Sequence, residues 1–300
     1  MDPVTWRTFL AVCRLGSLSA AALELGYTQS AISRQVAALE REVGVALVER
    51  RPRGVVPTLA GEAFGRHAQV VVAAADRAVR AAREAAQGRR LVTVGATPSA
   101  AAGLVPAALR GLDAAWSLTV ALTGELEEQV ATGALDLAVV TDAPPGLAAD
   151  PRLERHRLGD DVMRVVVAAG QPAATRRRGR RRPRLADFAE DTWVEDNEGS
   201  AALLRSAAAT AGFAPRIDLT AADLAGKTAL VAAGHAVALV PGLLVPALRR
   251  DVVAVAVADA PTRGIYVTQP AGSAPDGPAA VLRSRLRTAL AAGSGTPSSG

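Results

Sequence analysis

The chain has 300 residues, half of them apolar but only 3% aromatic, enough for two or three domains with aliphatic cores. Thirty-four Lys and Arg against twenty-nine Asp and Glu leave a net charge of +5. One cysteine, Cys13, excludes an internal disulfide, the first residues lack a signal-peptide pattern, and the apolar run near Ala236 to Leu248 is broken by Pro241, Gly242 and Pro246; a soluble cytoplasmic chain with no membrane partner is expected.

A first helix is predicted over roughly Thr5 to Leu15, with Trp6, Phe9, Leu10 and Cys13 on one side. Ser19 is placed as the N-cap of a short second helix through Ala20 to Leu25, which Gly26 ends. Thr28 caps a third helix over about Gln29 to Val43, stopped by Gly44. Ile32, Val36, Leu39 and Val43 form its apolar stripe. Its opposite side carries Ser30, Arg34, Ala37 and Arg41, with Gln29 and Ser33 beside them. Two helices joined so tightly must cross steeply, which is helix-turn-helix geometry. Small polar residues and Arg at the start of the second helix suit the major groove. Small side chains allow close approach, Arg bonds guanine in two places, and Ser and Gln reach base edges or phosphate.

Val45 to Glu49 and Val55 to Pro57 flank Arg50-Arg51-Pro52-Arg53-Gly54, a predicted hairpin whose Arg-rich tip suits backbone or minor-groove contact. The candidate DNA contacts are therefore Thr28, Gln29, Ser30, Ser33, Arg34, Arg50, Arg51 and Arg53. A generic three-helix unit with a solvated basic loop is the plainer alternative. The ordered set of capped helix, tight turn, polar-faced helix and Arg hairpin argues against it.

The matching stretches Gly16-Ser17-Leu18-Ser19-Ala20-Ala21-Ala22, Thr28-Gln29-Ser30-Ala31-Ile32-Ser33-Arg34-Gln35, Leu39-Glu40-Arg41-Glu42-Val43-Gly44 and Thr58-Leu59-Ala60-Gly61 fall in one order and spacing. On them, residues 1 to about 88 resemble the LysR-type transcriptional regulators, whose reader is a winged helix-turn-helix. The family often has Pro where Ser30 stands, a difference that bears on base preference.

Residues 1–90 hold thirteen Arg and eight acids, so the whole charge excess lies there; residues 91–300 balance. A basic reader on a neutral body fits nucleic-acid binding by the first part only. From Leu59 to about Gln87 the chain lacks Pro and reads as one helix of about 40 Å. Phe64, Ala68, Val71, Ala75, Ala78, Ala82 and Ala85 form a heptad seam, which calls for a partner helix; packing against its own chain is the alternative. A dimer sets two readers on an inverted-repeat site in double-stranded DNA.

Strands are predicted at Leu91 to Gly95, Ser117 to Leu122 and Leu135 to Val140, with helices through Leu104 to Leu112 and Glu125 to Thr132 between them. That alternation argues a parallel sheet. A second unit follows: strands at Val162 to Ala168, Thr192 to Val194, Ile217 to Leu219, Ala236 to Val240 and Val252 to Val257, helices at Ser200 to Ala211 and Asp223 to Ala233. A strand at Ile265 to Thr268 and a helix over Ala279 to Ala291 close the chain before a Gly/Ser/Pro-rich tail, 293–300, expected to be disordered. Two such units suggest a bilobed α/β body with a ligand cleft between them.

Gly133-Ala134-Leu135-Asp136-Leu137-Ala138, Ala211-Gly212-Phe213-Ala214-Pro215 and Leu230 to Pro241 resemble the effector domain of the same family, which looks like a periplasmic binding protein. The resemblance implies a reader in 1–58, a linker helix in 59–87 and an effector domain in 91–292. Lobe I would take 91–161 and 264–292, and lobe II 162–263. It also implies a small-molecule effector, a homodimer or homotetramer, and contact with RNA polymerase. Thr97-Pro98-Ser99, Thr123-Gly124 and Asn197-Glu198-Gly199-Ser200 open helices towards the cleft, so helix capping and anion binding compete as their role. The resemblance favours Thr97, Ser99, Thr123, Asn197 and Ser200 as effector contacts. Glu195, Asp196 and Glu198 would repel a simple carboxylate unless paired, which leaves an uncharged or cationic effector open.

Seven Arg in Arg176 to Arg184 form either a solvated loop or a second DNA contact. Gly226-Lys227-Thr228 lacks the leading Gly of a phosphate loop, since Ala221 stands there, and it reads as helix. His67, His156 and His235 are dispersed, so no metal site is expected. No nucleophile–base pair or cofactor loop is visible, so neither a catalytic residue nor a cofactor is expected. An enzyme on a binding-protein-like fold with an autoregulatory reader, and an architectural DNA-binding protein with an inert body, stand as the alternatives to a ligand-responsive regulator.

Overall fold

The computed structural model describes residues 2–52, 54–86, 91–171, 182–273 and 277–294. Three helices open the chain: α1 (Pro3–Leu15), α2 (Leu18–Leu25) and α3 (Gln29–Val43). The cap of α2 is Ser17, whose hydroxyl accepts from the Ala20 amide at 3.2 Å; Ser19, the expected cap, lies inside the helix. Gly26 and Gly44 end α2 and α3 in the left-handed region, as their positions predict, and Thr28 caps α3 by accepting from the Ala31 amide. Phe9, Val12, Ala21, Ile32, Val36, Leu39 and Leu47 are buried between these helices.

The hairpin that follows pairs β1 (Val48–Arg51) with β2 (Gly54–Pro57). It starts later than the apolar pattern predicts because the Glu40 carboxylate accepts from the Leu47 and Val48 amides, at 2.8 and 3.0 Å. Those bonds hold the chain in a turn after α3. Next comes α4 (Leu59–Ala86). Its first turn passes so close to the wing that a Cβ on Gly61 would lie 1.9 Å from the Leu47 carbonyl oxygen. Phe64 meets Trp6 and Phe9 edge to face, and Ala68 is buried, so the first half of the seam packs on the chain's own α1. Further along, Val71 and Val79 are exposed.

The rest of the chain builds two sheets. The first has β3 (Leu91–Ala96), β4 (Ala115–Val120), β5 (Leu137–Thr141), β6 (Leu153–Val162) and β12 (Thr262–Pro270), in the order β4-β3-β5-β12-β6. The helices α5 (Pro98–Ala101), α6 (Leu104–Leu109) and α7 (Thr123–Ala131) connect its strands. Only β3, β4 and β5 run parallel; β12 is antiparallel to both of its neighbours. The three strands whose alternation with helices argues parallel pairing do pair so, and β12 and β6 extend them into a mixed sheet. The edge strand β6 has no counterpart in the predicted elements. Glu154, Arg155, His156, Arg157, Asp160 and Asp161 occupy it, and such charge on an edge hides the strand signal while blocking further pairing.

The second sheet joins β7 (Arg164–Ala168), β10 (Ala238–Val240) and β11 (Val252–Val255) to the parallel pair β8 (Thr192–Glu195) and β9 (Arg216–Thr220) through a bridge between Trp193 and Val237. Two helices pack on it over separate cores: α8 (Glu198–Thr210) over one with Trp193, Phe188 and Leu204, and α9 (Leu224–Ala232) over one with Val166, Val194 and Val231. The chain enters this lobe after Val162 and leaves it before Thr262. The last helix, α10 (Pro278–Ser294), returns to the first lobe, where Leu282 and Leu286 are buried, and runs beyond its predicted end at Ala291. Positions 295–300 of the predicted tail lie outside the described residues. Arg80 of α4 ties the linker to this lobe by donating to Gly133 O and the Asp136 carboxylate at 3.1 and 3.0 Å.

Candidate functional site

The DNA-facing candidates converge on one surface. Gln29, Ser30 and Arg34 of α3 are exposed, and Thr28 lies beside them with its hydroxyl 3.1 Å from that of Ser30. Among the described residues Arg34 holds no hydrogen bond or ion pair, so its guanidinium is free for a base edge. Arg50 of the hairpin donates to Ser33 Oγ at 2.8 Å and so fastens wing to reader helix. Ser33 is therefore engaged inside the protein. Arg51 is exposed beside Glu49, with 3.1 Å between them. Arg53 lies outside the described residues, as does the run Arg176 to Arg181. Arg184, at the end of that run, faces Asp259 across 3.5 Å.

Between the two lobes lies a cavity of about 440 Å³, within the range of small-molecule sites. All five expected effector contacts line it: Thr97, Ser99 and Thr123 from the first lobe, Asn197 and Ser200 from the second. The walls between are largely apolar, with Leu122, Met163, Leu203, Leu224 and Pro241. A Cβ on Gly199 would come within 2.7 Å of the Pro144 carbonyl oxygen, so a glycine lets the start of α8 approach the first lobe closely.

The polar groups of the cavity differ in how they are satisfied. Asn197 caps α8, its Oδ1 accepting from the Ser200 amide at 2.9 Å, and the Thr123 hydroxyl donates to Thr141 O at 3.2 Å. Thr97 is 5% exposed, and its hydroxyl has no partner among the described residues. The Ser99 hydroxyl accepts from Arg263 Nη2 at 2.6 Å. Arg263 itself is held by Asp161, whose Oδ2 accepts from Nε and Nη2 at 3.0 and 2.8 Å. Glu127 is matched by Arg155 at 2.6 Å.

The second wall holds a cluster that motif reading missed. Lys227 of α9 is completely buried. Its ammonium donates to Glu195 Oε2, to Asp196 Oδ1 at 3.1 Å and to Ser200 Oγ at 3.0 Å. Ser200 in turn donates to Glu195 Oε2 at 2.5 Å. Burial pushes the Glu195 carboxyl above its ordinary value, against the attraction of Lys227. Glu195 and Asp196 thus share one ammonium, and Glu198 is met by Arg205. The signal that could have found this was the lysine itself: the only one in the chain, inside an apolar helix. Among the described residues no group of three or more His, Cys, Asp or Glu is placed to hold a metal. Burial pushes the Cys13 thiol up to about 11, which suits packing against the reader core more than reactivity.

A capped reader with a free arginine, joined by a long helix to a two-lobed body with a central cavity, defines a ligand-sensing DNA-binding class of fold. Comparison with known proteins agrees. Residues 4–62 match the family described as bacterial regulatory helix-turn-helix protein, lysR family, and residues 85–291 match the LysR substrate binding domain. The chain belongs to the LysR family. It is 32% identical over 259 residues to the HTH-type transcriptional regulator TfdS of Cupriavidus pinatubonensis, covering 82% of this chain and 84% of that protein. It is 36% identical over 172 residues to the HTH-type transcriptional regulator PcaQ of Agrobacterium fabrum, a stretch covering 55% of each. The match thus spans about half the length of PcaQ and of several other relatives. Two solved structures share the fold over almost the whole chain. ArgP from Mycobacterium tuberculosis aligns with a TM-score of 0.65 at 22% identity, covering 98% of both chains. Full-length CbnR, solved with its target DNA, aligns at 0.58 and 24%, covering 96% of this chain and all of that one.

Proposed function

We propose that this protein is a LysR-type transcriptional regulator whose grip on double-stranded DNA is set by a small molecule in the inter-lobe cleft. The observation that carries this is one chain holding both a reader with a free Arg34 and a cleft on which Thr97, Ser99, Thr123, Asn197 and Ser200 converge. Residues 1–58 read, 59–87 link and pair, and 91–292 sense. Thr28, Gln29, Ser30 and Arg34 enter the major groove, Ser33 orients the wing through Arg50, and Arg50, Arg51 and Arg53 contact the backbone or minor groove.

Self-association gives the reader its partner. Val71 and Val79 on α4 and Trp116 and Val120 on the edge strand β4 are exposed apolar side chains that a second copy covers, as a homodimer or a homotetramer. Two readers then meet an inverted repeat. A ligand that binds one lobe arrangement better than another shifts that equilibrium and the spacing of the readers, and RNA polymerase responds to the altered DNA. The protein works in the cytoplasm; no described helix is long and apolar enough to cross a membrane.

The cleft is a binding site and not a catalytic one. The Ser200 hydroxyl and the Lys227 donors are spent on each other and on Glu195 and Asp196, which leaves no nucleophile presented to a ligand. Gel-shift titration of upstream genomic fragments tests the proposal. Nanomolar, salt-dependent and sequence-selective binding that R34A weakens is expected; binding equal on all sequences contradicts it.

A further inference from the structure

The cleft's two polar walls are not alike. On the second lobe one ammonium, Lys227, faces two carboxylates, Glu195 and Asp196, and its donors are used on them and on Ser200. Asp196 gives Oδ1 to Lys227, while among the described residues its Oδ2 has no partner, on a side chain 7% exposed that lines the cavity. Glu195 Oε1 is buried and has no partner among the described residues. With both carboxylates ionised this wall carries one unmatched negative charge. With a proton on Glu195 it carries none, and Lys227 is still matched by Asp196. In neither state is there a free cation here for a carboxylate.

The first lobe offers the complement. The Thr97 hydroxyl is buried, at the cavity and without a partner among the described residues. Arg263, also at the cavity, gives Nε and Nη2 to Asp161 and Ser99, while Nη1 has no partner among the described residues. Thr97 Oγ1 and Nη1 are unspent donors for a ligand oxygen, Nη1 on a guanidinium that Asp161 already pairs, and Asp196 Oδ2 is an unspent acceptor for a ligand donor. Buried groups of this kind discriminate strongly, because the wrong ligand leaves them unpaired.

Resting on the effector reading above, we infer that the cleft takes a small zwitterion, an amino acid, with its ammonium on Asp196 and its carboxylate on Thr97 and Arg263. Such a ligand touches both lobes and so favours their closed arrangement. A dicarboxylate satisfies the first wall and is repelled by the second.

Thermal-shift and calorimetric titrations of the full chain decide this, using the proteinogenic L-amino acids, L-ornithine and 4-aminobutyrate as one probe set and succinate, glutarate and adipate as the other. At least one amino acid should bind and raise the melting temperature, and no dicarboxylate should. D196N should bind that amino acid at least about thirtyfold more weakly, the usual cost of losing one partner of a buried charge pair. T97V, of nearly equal shape, should weaken it about tenfold and covers the case in which D196N does not fold. The inference is overturned if a dicarboxylate binds more tightly than every amino acid, if no amino acid binds, or if D196N or T97V binds as wild type does. Dicarboxylate binding that T97V weakens would remove the amino-acid assignment and leave the effector cleft standing. No binding by either set would remove both, with DNA binding judged separately by gel shift.

Discussion

The reader and the cleft handle charge in opposite ways. In the reader, charge stays in water: Arg34 and Arg51 are exposed, and the helix ends are satisfied by Ser17 and Thr28, each bonding an amide three residues ahead. In the cleft, charge is taken out of water and matched over long separations. Lys227 meets Glu195 across 32 residues, Arg263 meets Asp161 across 102 and Ser99 across 164. An exposed charge costs little to hold and is free to meet a partner; a buried one is costly unless paired, and then fixes geometry. The proposed function, a surface for many DNA sites and a pocket for one ligand, calls for these opposite solutions.

That contrast ranks the effects of substitution. The largest belongs to the cleft. K227M leaves Glu195 and Asp196 buried without their ammonium and should cost about 3–5 kcal/mol, read as a loss of unfolding free energy in denaturant. A stability close to wild type would mean that those acids are protonated or hydrated, and the contrast would fall.

Next is the joint between wing and linker. G61A places a Cβ against the Leu47 carbonyl and should cost about 1–3 kcal/mol, with loss of DNA binding while the body still folds. Circular dichroism melts alongside gel shifts check both halves of that statement.

In the reader the fold should barely notice a lost charge. R34A should leave the melting temperature unchanged, yet cost about 1–3 kcal/mol in DNA affinity and relax base preference at one position of each half-site. R51A should instead weaken all sequences evenly and lower the salt slope by about one per reader. If the two variants behave alike, α3 and the wing do not divide base reading from backbone contact.

The smallest effect is in pH dependence. Burial holds the Glu195 carboxyl above its ordinary 4.5, so the folded state binds its proton more tightly than the unfolded chain does. The stability this contributes is complete below about pH 4.5 and is lost as pH rises through the folded value. Measured against E195Q, which does not titrate, wild-type stability should therefore fall from pH 4.5 upward. A difference that rises with pH would show that Lys227 outweighs burial.

How much of this could be read from the sequence follows the same divide. The span of α3, its Thr28 cap and its Gly44 stop are local signals, and they were legible. The helix openings that hold the five cleft residues were legible too, but local signals favoured capping, and the family resemblance pointed them to the cleft. What stayed hidden is non-local. The strand β6 is masked by the charges that protect its edge, and the antiparallel run of β12 depends on partners far away in sequence. Lys227 carried one local sign, a lone lysine in an apolar helix, but its partners carried none. Gly226-Lys227-Thr228 was correctly read as helix, but nothing near it reveals that Glu195, Asp196 and Ser200 fold over its side chain. Arg263 escaped for the same reason: its partner Asp161 lies on the neighbouring strand across the first sheet.

The central claim is that two copies of an exposed reader are held in fixed relation by the body behind them. Footprinting of the full chain on the genomic fragment it binds best tests this most directly. Two protected half-sites forming an inverted repeat, both lost in R34A, are predicted. A single unrepeated half-site, or a footprint that survives in R34A, would contradict it.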